Sequence, residues 1–166
     1  MILSNATPLI YLAKLGKLDI LKSLFKEIVI PREVYEEIIA GKKDGFFDAL
    51  TIEKAVENGW LKIKELKIER KIEKFAPEID LGEIALINLA KKLKADLILI
   101  DDASARTIAE SLGFNVKGTL YILLKAYKKK LIHKDELKEL INQLVFSGFR
   151  ISQELYIEIL EELEKI

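Results

Sequence analysis

Seven oxygen-bearing residues stand where a ligand site needs them: Asn5, Glu36, Glu37, Asp80, Glu83, Asp101 and Asp102. Each follows a short apolar run or lies at or near the start of a helical period. None has a sulfur or an imidazole beside it. Carboxylates that face one crevice repel each other unless a divalent cation sits among them. Oxygen-only ligation selects Mg²⁺ or Mn²⁺ over zinc. Such an ion activates water and stabilises a phosphoryl transition state, so no histidine base is required. The counts of Cys 0 and His 1 exclude disulfides, thiolate zinc sites and Cys nucleophiles, and leave only His133 for any Ser-His-Asp arrangement. There is no G-x-G-x-x-G, Walker A or G-x-S-x-G motif, so dinucleotide, P-loop and hydrolase-elbow chemistries lack support.

Each of these residues also has a plainer explanation. Asp102 stands where a helix N-cap belongs, and Asp80-x-x-Glu83 has the shape of a capping box. Taken singly, capping accounts for both better than catalysis does. At least one of Glu36 and Glu37 belongs to a solvated helix face, and Asn5 can organise the turn before Pro8. Asp101 is different. A second acid beside a capping Asp, at the end of an apolar strand, costs repulsion with no evident structural return. Arg106, one helical turn after Asp102, can pair with that carboxylate or meet a phosphate. His133 reads as a surface or cap residue, Trp60 as core, and the Lys128-Lys129-Lys130 run as a solvated helix end.

Apolar periodicity predicts the elements that position these groups. Met1-Ile2-Leu3 is a strand, and Thr7-Pro8 reads as an N-cap followed by Pro at the first position of a helix that reaches Leu15 and stops at Gly16. Helical periods follow at Leu18–Phe25, Arg32–Ala40 (closed by Gly41) and Phe46–Asn58. Strands fall at Ile28–Ile30 and Trp60–Ile63, and residues 66–78 stay unassigned. Asp80 opens a helix to Leu93. Asp96–Ile100 is apolar on both faces, like a buried parallel strand, and Asp102–Leu112 is a helix stopped by Gly113. A short strand at Phe114–Val116 precedes three more helical periods, Thr119–Lys129, Lys134–Phe146 and Ser152–Leu163. Strands alternating with helices imply an α/β domain with a parallel sheet flanked by helices. Ligands bind such sheets at the carboxyl ends of the strands, where these acids stand.

The chain has 166 residues, 50% of them apolar, enough for one domain with a real core. Its 27 basic and 27 acidic residues cancel, which excludes a uniformly basic coat for nucleic acid. The absence of a signal-like start or of an apolar run long enough to span a bilayer points to a soluble, cytoplasmic protein without membrane association. A Lys/Glu-rich surface with few Asn and Gln is the bias of thermophile proteins.

The order and spacing of several segments resemble the PIN-domain family, the nuclease fold that includes VapC-like toxin ribonucleases. The matching pieces are Leu3-Ser4-Asn5-Ala6-Thr7-Pro8-Leu9-Ile10, Ile30-Pro31-Arg32-Glu33-Val34-Tyr35-Glu36-Glu37-Ile38, Leu81-Gly82-Glu83-Ile84-Ala85 and Ala95-Asp96-Leu97-Ile98-Leu99-Ile100-Asp101-Asp102. Gly118-Thr119-Leu120 and Gly148-Phe149-Arg150-Ile151-Ser152 resemble a poorly characterised archaeal and bacterial branch of it. The resemblance spans residues 1–166 as a single PIN-like domain, with 119–166 as a C-terminal helical part. It implies a three-layer α/β/α fold and Mg²⁺- or Mn²⁺-dependent cleavage of RNA. By position it assigns the metal to Asn5, Glu37, Glu83 and Asp102, with Asp101 as the near alternative, and it places Thr7 beside the substrate. Asn5 falls where the family usually has its first Asp, and it offers a carbonyl oxygen without a charge. The setting implied is a toxin with an antitoxin protein partner, or RNA processing, in a homodimer. A catalytically weak scaffold that binds RNA or a protein partner is the alternative. The expectation is that Asn5, Glu37, Glu83 and Asp101 or Asp102 converge on one concave patch, with Asp80 mainly a cap.

Overall fold

The computed structural model describes residues 1–42 and 48–165. Five parallel strands form one sheet in the order β3-β2-β1-β4-β5: β1 Ile2–Ser4, β2 Ile28–Pro31, β3 Leu61–Lys64, β4 Leu97–Leu99 and β5 Val116–Lys117. All four pairings are parallel, with Leu3 opposite both Val29 and Ile98. This is the expected parallel sheet flanked by helices, and the strands β1, β2 and β4 carry the Val, Ile and Leu runs that burial on both faces demands.

The helices joining the strands are α1 Ala6–Lys14, α2 Asp19–Phe25, α3 Arg32–Lys42, α4 Asp48–Glu57, α5 Leu81–Leu93 and α6 Ala103–Ser111, followed by α7 Thr119–Lys128. The core beneath α5 and α6 is built from Leu3, Val29, Leu86, Ile98, Ile100 and Ala105, all fully or almost fully buried. Trp60 is core, as its position before β3 suggests. Residues Lys71–Lys74, inside the unassigned stretch, form one 3-10 turn.

Two helix boundaries differ from the periodic reading by two residues. α1 starts at Ala6, with Asn5 rather than Thr7 in the N-cap position. The Asn5 amide donates to the Leu99 carbonyl at 2.9 Å, so the sheet ladder continues to Asn5 and the chain turns into helix immediately after it. Pro8 still lies in the first turn, where a missing N–H leaves no bond unmade. α3 runs through Gly41 to Lys42 rather than ending there. The first two residues of the helix expected at Phe46–Asn58 lie outside the described residues, and its described part is α4.

The chain forms two compact units, Met1–Ile122 and Leu123 onward. The second holds the rest of α7, α8 Lys134–Phe146 and α9 Gln153–Glu164. His133 is the N-cap residue of α8 and makes no side-chain cap bond. Of the apolar residues expected to need cover, Leu137, Leu140, Ile141, Leu144, Ile159 and Leu163 are buried, while Leu155 stays exposed. Lys134 and Lys138 both lie 3.7 Å from Glu164, across α8 and α9.

Candidate functional site

The strand order turns at β1: the chain winds to β2 and β3 on one side and to β4 and β5 on the other. A doubly wound sheet opens a crevice at such a switch, outside the carboxyl ends of the strands. Asn5 follows β1, and Asp101 and Asp102 follow β4. The Asn5-to-Leu99 hydrogen bond fixes the two ends side by side.

Asn5 is the least satisfied residue of the crevice. Its backbone is extended, as an N-cap requires, yet its side chain makes no cap bond. The residue is 5% exposed, and Oδ1 is buried without a hydrogen-bond partner. An orphaned buried acceptor costs about 1–3 kcal/mol and calls for an explanation, such as an ion. Ser4 does not relieve it, because its hydroxyl donates to the Asn5 backbone carbonyl.

Asp80 and Glu83 form the capping box the sequence predicts. The Glu83 amide donates to Asp80 Oδ1 at 2.8 Å, and the Asp80 amide donates to Glu83 Oε2 at 3.0 Å. Glu83 is nonetheless buried, at 7% exposure. Its carboxyl is pushed up to about 7, first by burial and then by the charges of Asp80, Asp102 and Glu37, against the lowering pull of the Asp80 amide. Asp102 caps α6 by accepting from the Ala105 amide at 2.9 Å. Glu37 is packed beside the α5 N-terminus: a Cβ on Gly82 would stand 3.1 Å from Glu37 Oε2 and 3.4 Å from Asp80 Oδ1. Partial burial and then the Asp80 charge raise the Glu37 carboxyl above its ordinary value. Glu37, Asp80, Glu83 and Asp102 therefore share one electrostatic neighbourhood.

An open acidic hollow adjoins it, lined by Glu33, Glu36, Glu37 and Asp80. Glu33 was not among the expected residues. Its signal was present in the spacing, since 33, 36 and 37 are i, i+3 and i+4 on one face of α3.

Asp101 turns elsewhere. Its Oδ1 accepts from the Thr119 amide at 2.8 Å and its Oδ2 from the Thr119 hydroxyl at 2.6 Å. This is the structural return that the sequence did not reveal. Burial pushes the Asp101 carboxyl up, while the two Thr119 bonds and then the Arg106 charge pull it down. Arg106 thus stands with Asp101, beside Gly118. Asp101 also helps to raise the Tyr11 hydroxyl, after burial. Thr7 lies in the first turn of α1, and no hydrogen bond joins it to the carboxylates among the described residues.

Among the described residues, no three His, Asp or Glu side chains stand close enough to hold a metal ion between them. Glu37, Asp80, Glu83 and Asp102 influence one another without forming a closed cage among the described residues. The donor set nevertheless suits a hard divalent ion: an orphaned amide oxygen and carboxylates that oppose each other's ionisation.

A parallel, doubly wound sheet with Asn5, Asp101 and Asp102 just after the carboxyl ends of β1 and β4 defines an α/β domain of the kind that binds ligands at its switch point. The family model of a PIN domain matches residues 1–165, and the chain belongs to the PIN-domain family. No curated protein matches it significantly. No helix among the described residues is long and apolar enough to cross a membrane.

Proposed function

We propose that the protein is a metal-dependent ribonuclease of PIN type that hydrolyses phosphodiester bonds in RNA. The observation that carries this reading is the setting of Glu83. It is buried among Asp80, Asp102 and Glu37, with no lysine or arginine among the groups that shift it. A divalent cation would relieve that repulsion. Glu37, Glu83 and Asp102 would hold Mg²⁺ or Mn²⁺, with Asn5 Oδ1 as a neutral ligand and Asp101 adjacent. Bound there, the ion would supply water activation and charge stabilisation for phosphoryl transfer. Arg106 and Thr7 would meet the RNA backbone. The same reading makes the chain a cytoplasmic toxin restrained by an antitoxin protein, acting as a homodimer.

The second reading is a scaffold that binds RNA or protein without cutting. Two observations favour it: the uncharged Asn5 at the first position and the lack of a closed acidic cage. A calorimetric Mn²⁺ titration, paired with cleavage of single-stranded RNA by parent and Glu83→Gln, separates the two. Saturable Mn²⁺ binding with cleavage lost in Glu83→Gln supports the nuclease. RNA retention in a gel shift without Mn²⁺ binding supports the scaffold.

A further inference from the structure

The Asp101-Asp102 pair invites the view that either acid serves the site. The structure separates them. Asp102 stays at the head of α6, where it accepts from the Ala105 amide at 2.9 Å. Asp101 instead spends both oxygens on one residue, Thr119, at 2.8 and 2.6 Å. Thr119 is fully buried, so its hydroxyl has no access to water as an alternative partner. Gly118 completes the enclosure. A Cβ there would stand 2.6 Å from Asp101 Oδ1, 3.2 Å from Arg106 Nη1 and 3.4 Å from the Ile100 carbonyl. Only a residue without a side chain lets the carboxylate lie against this backbone. Arg106 stands at this corner, on the Asp101 side.

We propose that Gly118-Thr119 is a clasp that splits the acidic pair: Thr119 is a positioning residue that holds Asp101 against the start of α7, beside Arg106, and leaves Asp102 as the available acid at the head of α6. The split has a consequence for a bound ion: with both Asp101 oxygens spent on Thr119, Asp102 is the acid of the pair left to serve one. For Asp102 this rests on the metal reading above. The clasp itself does not.

The test is a double-mutant cycle on the full chain, Asp101→Asn with Thr119→Val, melted in chelator. Thr119→Ser, which keeps the hydroxyl, and Gly118→Ala, which keeps every donor and charge but crowds the carboxylate, complete the set. Two partners in one clasp lose it together, so the double variant is expected to melt close to the worse single variant. Thr119→Ser should restore most of the melting temperature that Thr119→Val loses, and Gly118→Ala should melt below the parent. In a Mn²⁺ titration, Asp102→Asn should lose affinity by about tenfold or more and Asp101→Asn clearly less. Additive losses in the cycle, or no rescue by Thr119→Ser, overturn the clasp. Equal loss of Mn²⁺ affinity from Asp101→Asn and Asp102→Asn overturns the split. A parent chain that binds no Mn²⁺ sinks the metal reading alone, and the clasp is then decided by the cycle in chelator. If Thr119→Val does not fold, Asp101→Asn against Gly118→Ala closes an equivalent cycle with the same expected non-additivity.

Discussion

Asp80 and Glu83 hold each other across the first turn of α5, each backbone amide donating to the other's carboxylate at 2.8 and 3.0 Å. The bonds serve the helix, while the charge of one acid opposes the ionisation of the other. One pair thus does two opposed things, and the two can be separated by substitution. Asp80→Asn keeps the cap, because Asn and Asp cap about equally well, and it removes the charge. Its melting temperature should stay close to that of the parent. The pKa of Glu83, followed by carboxyl NMR, and that of Glu37 should both fall. Asp80→Ala, by contrast, should cost about 1 kcal/mol of stability. A Glu83 pKa unmoved in Asp80→Asn would show that the Asp80 charge has no part in raising it.

The protein without metal should lose stability as pH rises toward neutrality. Glu83 titrates near 4.5 when unfolded and about 7 when folded. Below the first value both states hold the proton. Between the two, the unfolded chain has released it and the folded chain has not, so stability falls with rising pH across that window. The full loss is of order 3 kcal/mol, from the size of the shift. Glu83→Gln keeps a capping-box side chain and has no charge to bury. In chelator near pH 8 it should melt several degrees above the parent, and its stability should change less across the window. The same variant should bind Mn²⁺ more weakly. A parent melting profile that is flat over this range would contradict the burial argument.

Asn5→Asp places a carboxylate at a position 5% exposed, with no donor to meet Oδ1. In chelator the variant should be less stable by about 2 kcal/mol or more. With Mn²⁺ it should recover more than the parent gains, since an anionic ligand binds a dication more strongly than an amide oxygen does. RNA cleavage should rise in parallel. Thermal melts with and without Mn²⁺ measure both arms. An unchanged metal-induced shift would place Asn5 outside the metal site.

Gly82 lies in the first turn of α5 with the Glu37 carboxylate against it. Gly82→Ala gains helix propensity of up to about 1 kcal/mol. The added Cβ, at 3.1 Å from Glu37 Oε2, must push that side chain aside. Stability should therefore hold or rise while Mn²⁺ affinity drops. A drop in both would mean that the Cβ also disturbs the capping carboxylate of Asp80, whose Oδ1 lies 3.4 Å away.

What the sequence by itself determined is local. The Asp80-Glu83 box, the Asp102 cap and the glycines that end α1 and α6 are contacts within a few residues, so spacing alone encodes them. The apolar runs of β2 and β4 likewise require a sheet buried on both faces, and strands separated by helices require it to be parallel. The tertiary structure decided what depends on distant segments meeting. The pairing of β1 with β4 moved the start of α1 to Ala6 and left Asn5 Oδ1 without a partner. Asp101 found its partner 18 residues away on Thr119, and no periodicity relates those two positions. Glu83 reads in sequence as an ordinary capping acid. Its raised pKa comes from burial and from Glu37 and Asp102, on α3 and at the start of α6, as well as from Asp80 beside it. Hydrogen bonds within a turn follow from chain geometry, whereas burial and the fields between elements exist only once the sheet has brought those elements together.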